Sequence, residues 1–327
     1  MRILVVKSSS LGDIIHTLPA ITDAQQQIPS LRCHWVVEEP FCEIPTWHPT
    51  TDRVIPIALR RWRRELHRRQ TYREWSKFSQ LLRSSPFDAI IDAQGLIKSS
   101  FCITRLANGP KHGYDQASIR EFLASWFYDH RYTVPRNQHA IERIRQLFAF
   151  SLGYTQPIST GNYGISHFFQ VTQAKPLTPY LLFITISSRP QKLWPNEYWR
   201  QLIALMSKSG FLIKFPWGTE EERQRVRQLA DQSPHTEVLP KCSLYQLGCL
   251  IKQAKAVVSL DTGLAHLTAA LEVPNIALYG PTDPQLAGVY GKKQQIFWAE
   301  KSRKMSEIQP QQVFERLMSV LTDTHNH

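Results

Sequence analysis

The stretch that decides the fold is Arg2-Ile3-Leu4-Val5-Val6-Lys7-Ser8-Ser9-Ser10-Leu11-Gly12-Asp13-Ile14-Ile15. Residues 3–6 are apolar on both faces, as in a strand buried between two helix layers. A loop of small residues follows, and Ile14, Ile15 and Leu18 continue as a helix. The same order recurs at residues 256–260, which lead into Asp261-Thr262-Gly263-Leu264-Ala265-His266 and a helix through Leu267, Ala269, Ala270 and Leu271. Further strand-like runs lie at 34–37, 89–91, 181–186, 211–215 and 275–279. Between them, residues 140–152 set Ile141, Ile144, Leu147, Phe148 and Leu152 on one helical stripe, with Gly153 as its C′ residue. Residues 310–321 read as a final helix with Pro310 in its first turn. Such alternation predicts an α/β fold built from parallel βα units. Periodicity fades between residues 154 and 180, where Pro157, Gly161, Gly164, Pro176 and Pro179 accumulate. The linker is expected there, giving domains at 1–160 and 175–309 and a C-terminal helix and tail at 310–327. Two doubly wound sheets facing across a cleft are expected, with ligands beyond the carboxyl ends of their strands.

At 327 residues and 37.9 kDa the chain has room for two domains of roughly 150 residues. With 42% hydrophobic and 20% charged residues it is neither disordered nor collagen-like. Lys and Arg number 39 against 27 Asp and Glu, a net charge of +12, which predicts anionic partners. Cys33, Cys42, Cys102, Cys242 and Cys249 form no CxxC pair; this argues against a disulfide framework or a zinc site and fits a reducing cytoplasm. The apolar run near Met1 is too short for a secretory signal, and nothing approaches the ~18 apolar residues of a membrane span. A soluble protein is expected, with any membrane contact peripheral.

Each strand-end loop has a structural and a chemical reading. Asp13 is either a helix N-cap or a general base, ionised at an ordinary pKa of about 3.9. The loop at Asp261 opens a helix N-terminus suited to phosphate: Thr262 offers a hydroxyl and Gly263 removes an obstructing Cβ. His266, one turn on, is either an anion ligand or a satisfied core histidine. Asp-Thr-Gly occurs once, which excludes the paired motif of an aspartic protease. Ser187-Ser188-Arg189-Pro190-Gln191-Lys192 places hydroxyls and two cations after a strand, as oxyanion ligands or as solvated charges. Glu220, Glu221 and Glu222 either include an acceptor for ribose hydroxyls or complement a helix dipole. GxGxxG, GxxxxGK[ST] and GxSxG motifs are absent, and no cluster has metal-ligand spacing. Residues 59–73 hold Arg60, Arg61, Arg63, Arg64, Arg68, Arg69 and Arg73 with one acid, Glu65, and interleaved Trp62 and Tyr72. Guanidinium forks pair two oxygens of a phosphate or carboxylate at once, so anion binding is preferred over a solvated helix face. Nucleic acid, a phosphorylated lipid and a headgroup surface all fit.

Together the loops resemble the lipopolysaccharide heptosyltransferases of glycosyltransferase family 9. The likeness rests on Val6-Lys7-Ser8-Ser9-Ser10-Leu11-Gly12-Asp13, His16-Thr17-Leu18-Pro19-Ala20, Asp261-Thr262-Gly263-Leu264-Ala265-His266 and Tyr279-Gly280-Pro281-Thr282-Asp283-Pro284, and runs from Val5 to about Gly291. Trp35-Val36-Val37-Glu38-Glu39, Arg60-Arg61-Trp62-Arg63, Asp92-Ala93-Gln94-Gly95-Leu96 and Leu239-Pro240-Lys241 are similar to the heptosyltransferase I branch. The resemblance implies a GT-B fold of two Rossmann-like domains, the first binding acceptor and the second the ADP-sugar. It implies inverting transfer from ADP-L-glycero-D-manno-heptose to the Kdo region of the lipopolysaccharide inner core (Kdo2-lipid A), with neither cofactor nor bound metal. Asp13 matches the catalytic base, and Ser187, Ser188, Lys192, Glu222, Asp261, Thr262, Gly263 and His266 match the donor site. Arg60, Arg61, Arg63, Arg64 and Arg120 are the acceptor-side candidates.

Two departures accompany the likeness. Ser187-Ser188 stands where the heptosyltransferase I branch has a Thr pair, and the ribose ligand is Glu222 counting from Gly218 but Glu220 by the acidic run. The expected place is the cytoplasm, peripheral on the anionic inner face of the inner membrane, with no nucleic-acid partner. Competing readings are another family 9 enzyme such as heptosyltransferase II, and a basic nucleic-acid-binding protein using the arginine run with Trp62, Tyr72 and Trp75. A nucleotide-dependent oxidoreductase is disfavoured because its glycine fingerprint is missing.

Overall fold

The apolar runs become the inner strands of two parallel sheets. The computed structural model describes residues 1–169, 178–231 and 233–323. In the first sheet, β1 (Arg2–Val6), β2 (Arg32–Glu38), β3 (Thr51–Ile57), β4 (Ala89–Asp92), β5 (Lys111–Tyr114) and β6 (His130–Tyr132) run in the order β3-β2-β1-β4-β5-β6. The second comprises β7 (Tyr180–Ile184), β8 (Leu212–Phe215), β9 (Thr236–Val238), β10 (Ala256–Leu260), β11 (Asn275–Tyr279) and β12 (Gln294–Trp298), in the order β12-β11-β10-β7-β8-β9. Counted within each sheet, both orders are 3-2-1-4-5-6, the doubly wound pattern. Winding reverses between β1 and β4, and again between β7 and β10. Crevices beyond the carboxyl ends at those two points are where this topology accepts ligands.

Two compact units result, Met1–Ile165 and the chain from Ser166 onward. The expected domain start at residue 175, Pro176 of the expected linker and the tail at 324–327 lie outside the described residues. In the first unit, helix Leu18–Gln27 packs on helix Ala140–Leu152. The latter ends where expected, on Gly153 at φ +73°. The buried guanidinium of Arg145 joins the pair, reaching Asp23 Oδ2 at 2.6 Å and Glu142 Oε1 at 3.0 Å. In the second unit, helix Pro310–Asp323 is part of the core rather than an appendage. Its Val313, Leu317 and Leu321 pack in one cluster with Trp199, Leu202 and the inner strands.

Strands β3, β5, β6, β9 and β12 have no counterpart among the sequence-expected strands. Four of them are sheet edges, half-wet and therefore polar, and β5 reads Lys-His-Gly-Tyr. The run expected at 181–186 stops as a strand at Ile184, because the Thr185 carbonyl accepts from Arg225 Nη1 at 2.8 Å.

On β5, His112 is buried, its Nδ1 sits 3.0 Å from the Tyr132 hydroxyl, and its ring stacks on His130 at 4.7 Å. Burial, reinforced by His130, pushes its pKa down to about 4, against a weaker pull from Asp129. The unfolded chain takes up this proton near pH 6.5 and the folded chain only near pH 4. Stability therefore falls as pH drops through that window. His112→Gln should flatten the acid-side loss measured by denaturant titration from pH 7 to 4; parallel wild-type and variant curves would contradict this assignment.

Candidate functional site

Two sets of side chains gather at the switch points, one in each unit. In the first, β1 ends at Val6 and the loop turns into the short helix Leu11–Ile15. Ser10, not Asp13, is its N-cap, which corrects the cap reading. Asp13 instead occupies the third helical position and closes back on the cap. Its Oδ2 accepts from the Ser10 amide at 2.7 Å and the Ser10 hydroxyl at 3.0 Å. Its Oδ1 lies 3.9 Å from Lys7 Nζ, and the side chain remains 48% exposed, open to an incoming group.

Lys7, which sequence reasoning left without a role, is buried and donates to the Ala93 carbonyl at 2.9 Å. Burial lowers its pKa, while Asp13 and Asp92 oppose that shift. Across the switch point, the turn after β4 supplies Gln94. Its Oε1 accepts from the Ser8 and Ser9 amides at 3.0 and 3.3 Å. That turn is fixed by Asp92, a fully buried carboxylate that accepts from the Gln94 and Gly95 amides, Ser99 Oγ, Thr104 Oγ1 and the Tyr128 hydroxyl. Burial pushes the Asp92 pKa up, and these donors draw it back. Gly95 sits at φ +64°, a left-handed conformation that favours glycine.

The arginine run begins beside this loop. The Glu38 amide donates to the Ser8 carbonyl at 3.0 Å, and the buried Glu38 carboxyl, pushed up by burial, is offset by Arg60. Helix Leu59–Trp62 and helix Arg69–Ser84 divide the run, so it is no single charged face. Arg60, Arg63, Arg64 and Arg120 are exposed. Arg61 is already paired, at 3.0 Å to Glu39 and 2.8 Å to Glu74. The sequence window had missed both acids because they lie outside it. Glu74 also accepts from Trp62 Nε1 at 2.6 Å, and this bond, with Arg61 and Gln70, lowers its pKa to about 2. Trp62 is buried against Trp75 and Phe78, so it offers no stacking platform to a nucleic acid.

In the second unit, the loops after β7 and β10 meet. Ser187 Oγ donates to the Asp261 carbonyl at 3.3 Å. The 3-10 turn Pro190–Lys192 brings Lys192 Nζ to 2.5 Å from Asp261 Oδ2, both side chains largely buried. Thr262 caps helix Gly263–Ala270 through its backbone, and no side-chain bond occupies its hydroxyl in that role. His266 is buried and engaged with its surroundings; Ser188 is exposed. Arg225, also unforeseen, clamps the segment, donating to the Thr185 and Trp194 carbonyls and to Asn196. Glu222 closes the cap of helix Glu220–Ala230, with Oε2 accepting from the Gly218 and Thr219 amides at 2.8 and 3.0 Å. Glu220 pairs with Arg223 at 3.4 Å. No group of three or more His, Cys, Asp or Glu among the described residues is placed to hold a metal ion.

Each unit thus pairs a doubly wound sheet with polar groups at its switch point, an arrangement for nucleotide or sugar ligands. Comparison with known proteins gives the lineage. The profile of glycosyltransferase family 9 (heptosyltransferase) matches residues 75–318. Lipopolysaccharide heptosyltransferase 1 of Escherichia coli K12 is 48% identical over 98% of this chain and 100% of its own. The structure of E. coli heptosyltransferase WaaC with ADP superposes with a TM-score of 0.94 at 47% identity, over 98% of this chain and 100% of that one. The same enzyme with ADP-2-deoxy-2-fluoro heptose gives 0.91 at 46%, over 98% and 99%. The chain belongs to glycosyltransferase family 9, and its α/β fold is of the GT-B class.

The Glu222 cap generates a stability test. Glu222→Ala should cost about 1 kcal/mol, read as a lower denaturant midpoint. Glu220→Ala, which removes an exposed pair, should cost close to nothing. Equal midpoints for the two variants would show that the cap contributes nothing.

Proposed function

We propose that this chain is an inverting heptosyltransferase. It moves L-glycero-D-manno-heptose from ADP-L-glycero-D-manno-heptose to the Kdo region of Kdo2-lipid A. The observation that carries this reading is that each unit presents a charged group at its own switch point, an open carboxylate, Asp13, in the first and a preset cation, Lys192, in the second. Near full-length likeness to a lipopolysaccharide heptosyltransferase 1, and to a heptosyltransferase whose structures hold ADP and ADP-2-deoxy-2-fluoro heptose, supports it.

In this reaction the acceptor hydroxyl gives its proton to Asp13 while its oxygen attacks the anomeric carbon. The bond to ADP breaks, and the electron pair stays on the β-phosphate oxygen. Negative charge grows there, and Lys192 with the amides at Thr262 and Gly263 stabilises it where it appears. Asp261 holds the ammonium in place before donor arrives. Ser187 and Ser188 supply phosphate donors, His266 closes the ADP side, and Glu222 offers its second oxygen to a ribose hydroxyl while Oε2 keeps the cap. Arg60, Arg63, Arg64 and Arg120 meet the Kdo carboxylates and lipid phosphates, with Arg61 held in reserve by its two glutamates. Work on a lipid-borne acceptor puts the protein peripherally at the inner membrane's cytoplasmic face, held there in part by charge and weakened by salt.

Asp13→Asn keeps the shape of the side chain and removes the base. It should lower kcat by about 10²–10⁴-fold while ADP binding, followed by calorimetry, stays near wild type; full activity would remove Asp13 from this role. Lys192→Ala should raise the donor KM by about 10–100-fold and leave the acceptor KM unchanged, and an unaltered donor dependence would refute the diphosphate contact. Labelled ADP-heptose offered with Kdo2-lipid A or with heptosylated core distinguishes the acceptor, since transfer to the second alone would favour a heptosyltransferase II activity.

A further inference from the structure

Beyond the Asp92 turn lies a group of side chains that the reaction does not use. Helix Ile97–Cys102 follows the turn directly, and the 3-10 segment Phe122–Phe127 runs beside it. The Ile97 amide donates to Glu121 Oε2 at 2.7 Å, and the Phe101 ring meets Phe127 edge-on at 5.6 Å. Four large apolar side chains stand out from these adjoining segments: Ile97, Phe101, Phe122 and Trp126 are 39, 48, 58 and 59% exposed. Single exposed apolar residues are ordinary, but a contiguous set marks an interaction surface. Basic residues rim it. Lys98, Arg105 and Arg120 are exposed, and the Arg105 guanidinium lies over the Phe101 ring at 5.1 Å. The acid between them, Glu121, is committed to the Ile97 amide.

We propose that this patch anchors the protein to an anionic bilayer, with Trp126, Phe122, Phe101 and Ile97 entering the boundary between headgroups and acyl chains. Aromatic rings with one wet edge partition to that boundary, and Lys98, Arg105 and Arg120 fit the phosphates immediately above it. The net charge of +12 favours the same partner, and no helix among the described residues is long and apolar enough to cross a membrane. The anchor is built onto the reactive edge. Ile97 is three residues from Gln94, whose side chain holds the Ser8 and Ser9 amides of the Asp13 loop. A lipid-borne acceptor would thus meet Asp13 beside the surface that holds the bilayer. This deepens the acceptor reading and rests on it only for that juxtaposition. Binding to lipid is measurable without any transfer.

The test is co-sedimentation of the full chain with phosphatidylethanolamine–phosphatidylglycerol vesicles and with phosphatidylcholine vesicles. It is run at about 0.1 M and about 1 M salt, where the screening length falls from ~10 to ~3 Å. Wild type should prefer the anionic vesicles and keep a salt-resistant share of binding. The double variant Phe122→Ser, Trp126→Ser should lose that share, with the partition coefficient down by about tenfold or more. Lys98→Gln should lower binding by about fivefold, and at low salt only. Transfer to a deacylated, water-soluble acceptor should be unchanged in all of these variants. Four results would overturn the anchor. They are wild-type binding abolished by salt, a double variant that sediments like wild type, a double variant inactive on the deacylated acceptor, and lipid-free wild type that self-associates where the variant does not. Vesicle binding as described, with no heptose transfer to any acceptor, would instead sink the proposed activity and leave the anchor standing.

Discussion

Asp92 is a carboxylate sealed from water, and an anion so placed is tolerable only when its oxygens are fully engaged. Five donors meet that requirement, and they come from four different pieces of chain: the turn at 94–95, Ser99, Thr104 and Tyr128. Removing any of them leaves a buried acceptor short, so the pieces are held in one arrangement. Because Gln94 rides on that turn, its amide oxygen is aimed at Ser8 and Ser9, and through them the Ser10 cap and the Asp13 carboxylate are set. A group with no solvent access thereby fixes the orientation of one that is half exposed.

The second unit ties its loops together with the opposite charge. Arg225 is a half-buried cation, and it donates to oxygens of Thr185, Trp194 and Asn196. Burial lowers its pKa, a pull that Glu222 opposes. The loop after β7 is drawn into shape from beneath, and Lys192 emerges from it already facing Asp261. In both units the sheet supplies position, an ion tied to several chain segments supplies stiffness, and the strand-end polar groups sit one step further out. Preorganised polar groups of this kind suit charge that develops during a reaction.

The sequence was most legible where burial is complete. Residues 3–6, 89–91 and 256–260 are apolar on both faces and read at once as inner strands. Edge strands such as β3 and β12 carry Thr, Asp, Arg and Gln on a wet face, which blurs their period. Loops that follow inner strands were also readable, because a small-residue turn before a helix has few other uses; Asp13, Lys192 and Thr262 came from there. Lys7, Asp92 and Arg225 did not, since each acquires its meaning from partners up to 86 residues away. Local spacing also misread charge. Arg61 is neutralised by Glu39 and Glu74, which no window of 59–73 contains, and the aromatic Trp62 proves to be core.

Gly113 lies on β5, where a Cβ would drive into the ring of Tyr128. That tyrosine is one of the five donors to Asp92. A single methyl group added at a position with no chemistry of its own would displace the phenol, slacken the turn beneath Gln94 and disturb the loop that carries Asp13. Alleles that fail in the cell without touching any ligand are to be sought at such a place, and their defect would be one of aim rather than of affinity.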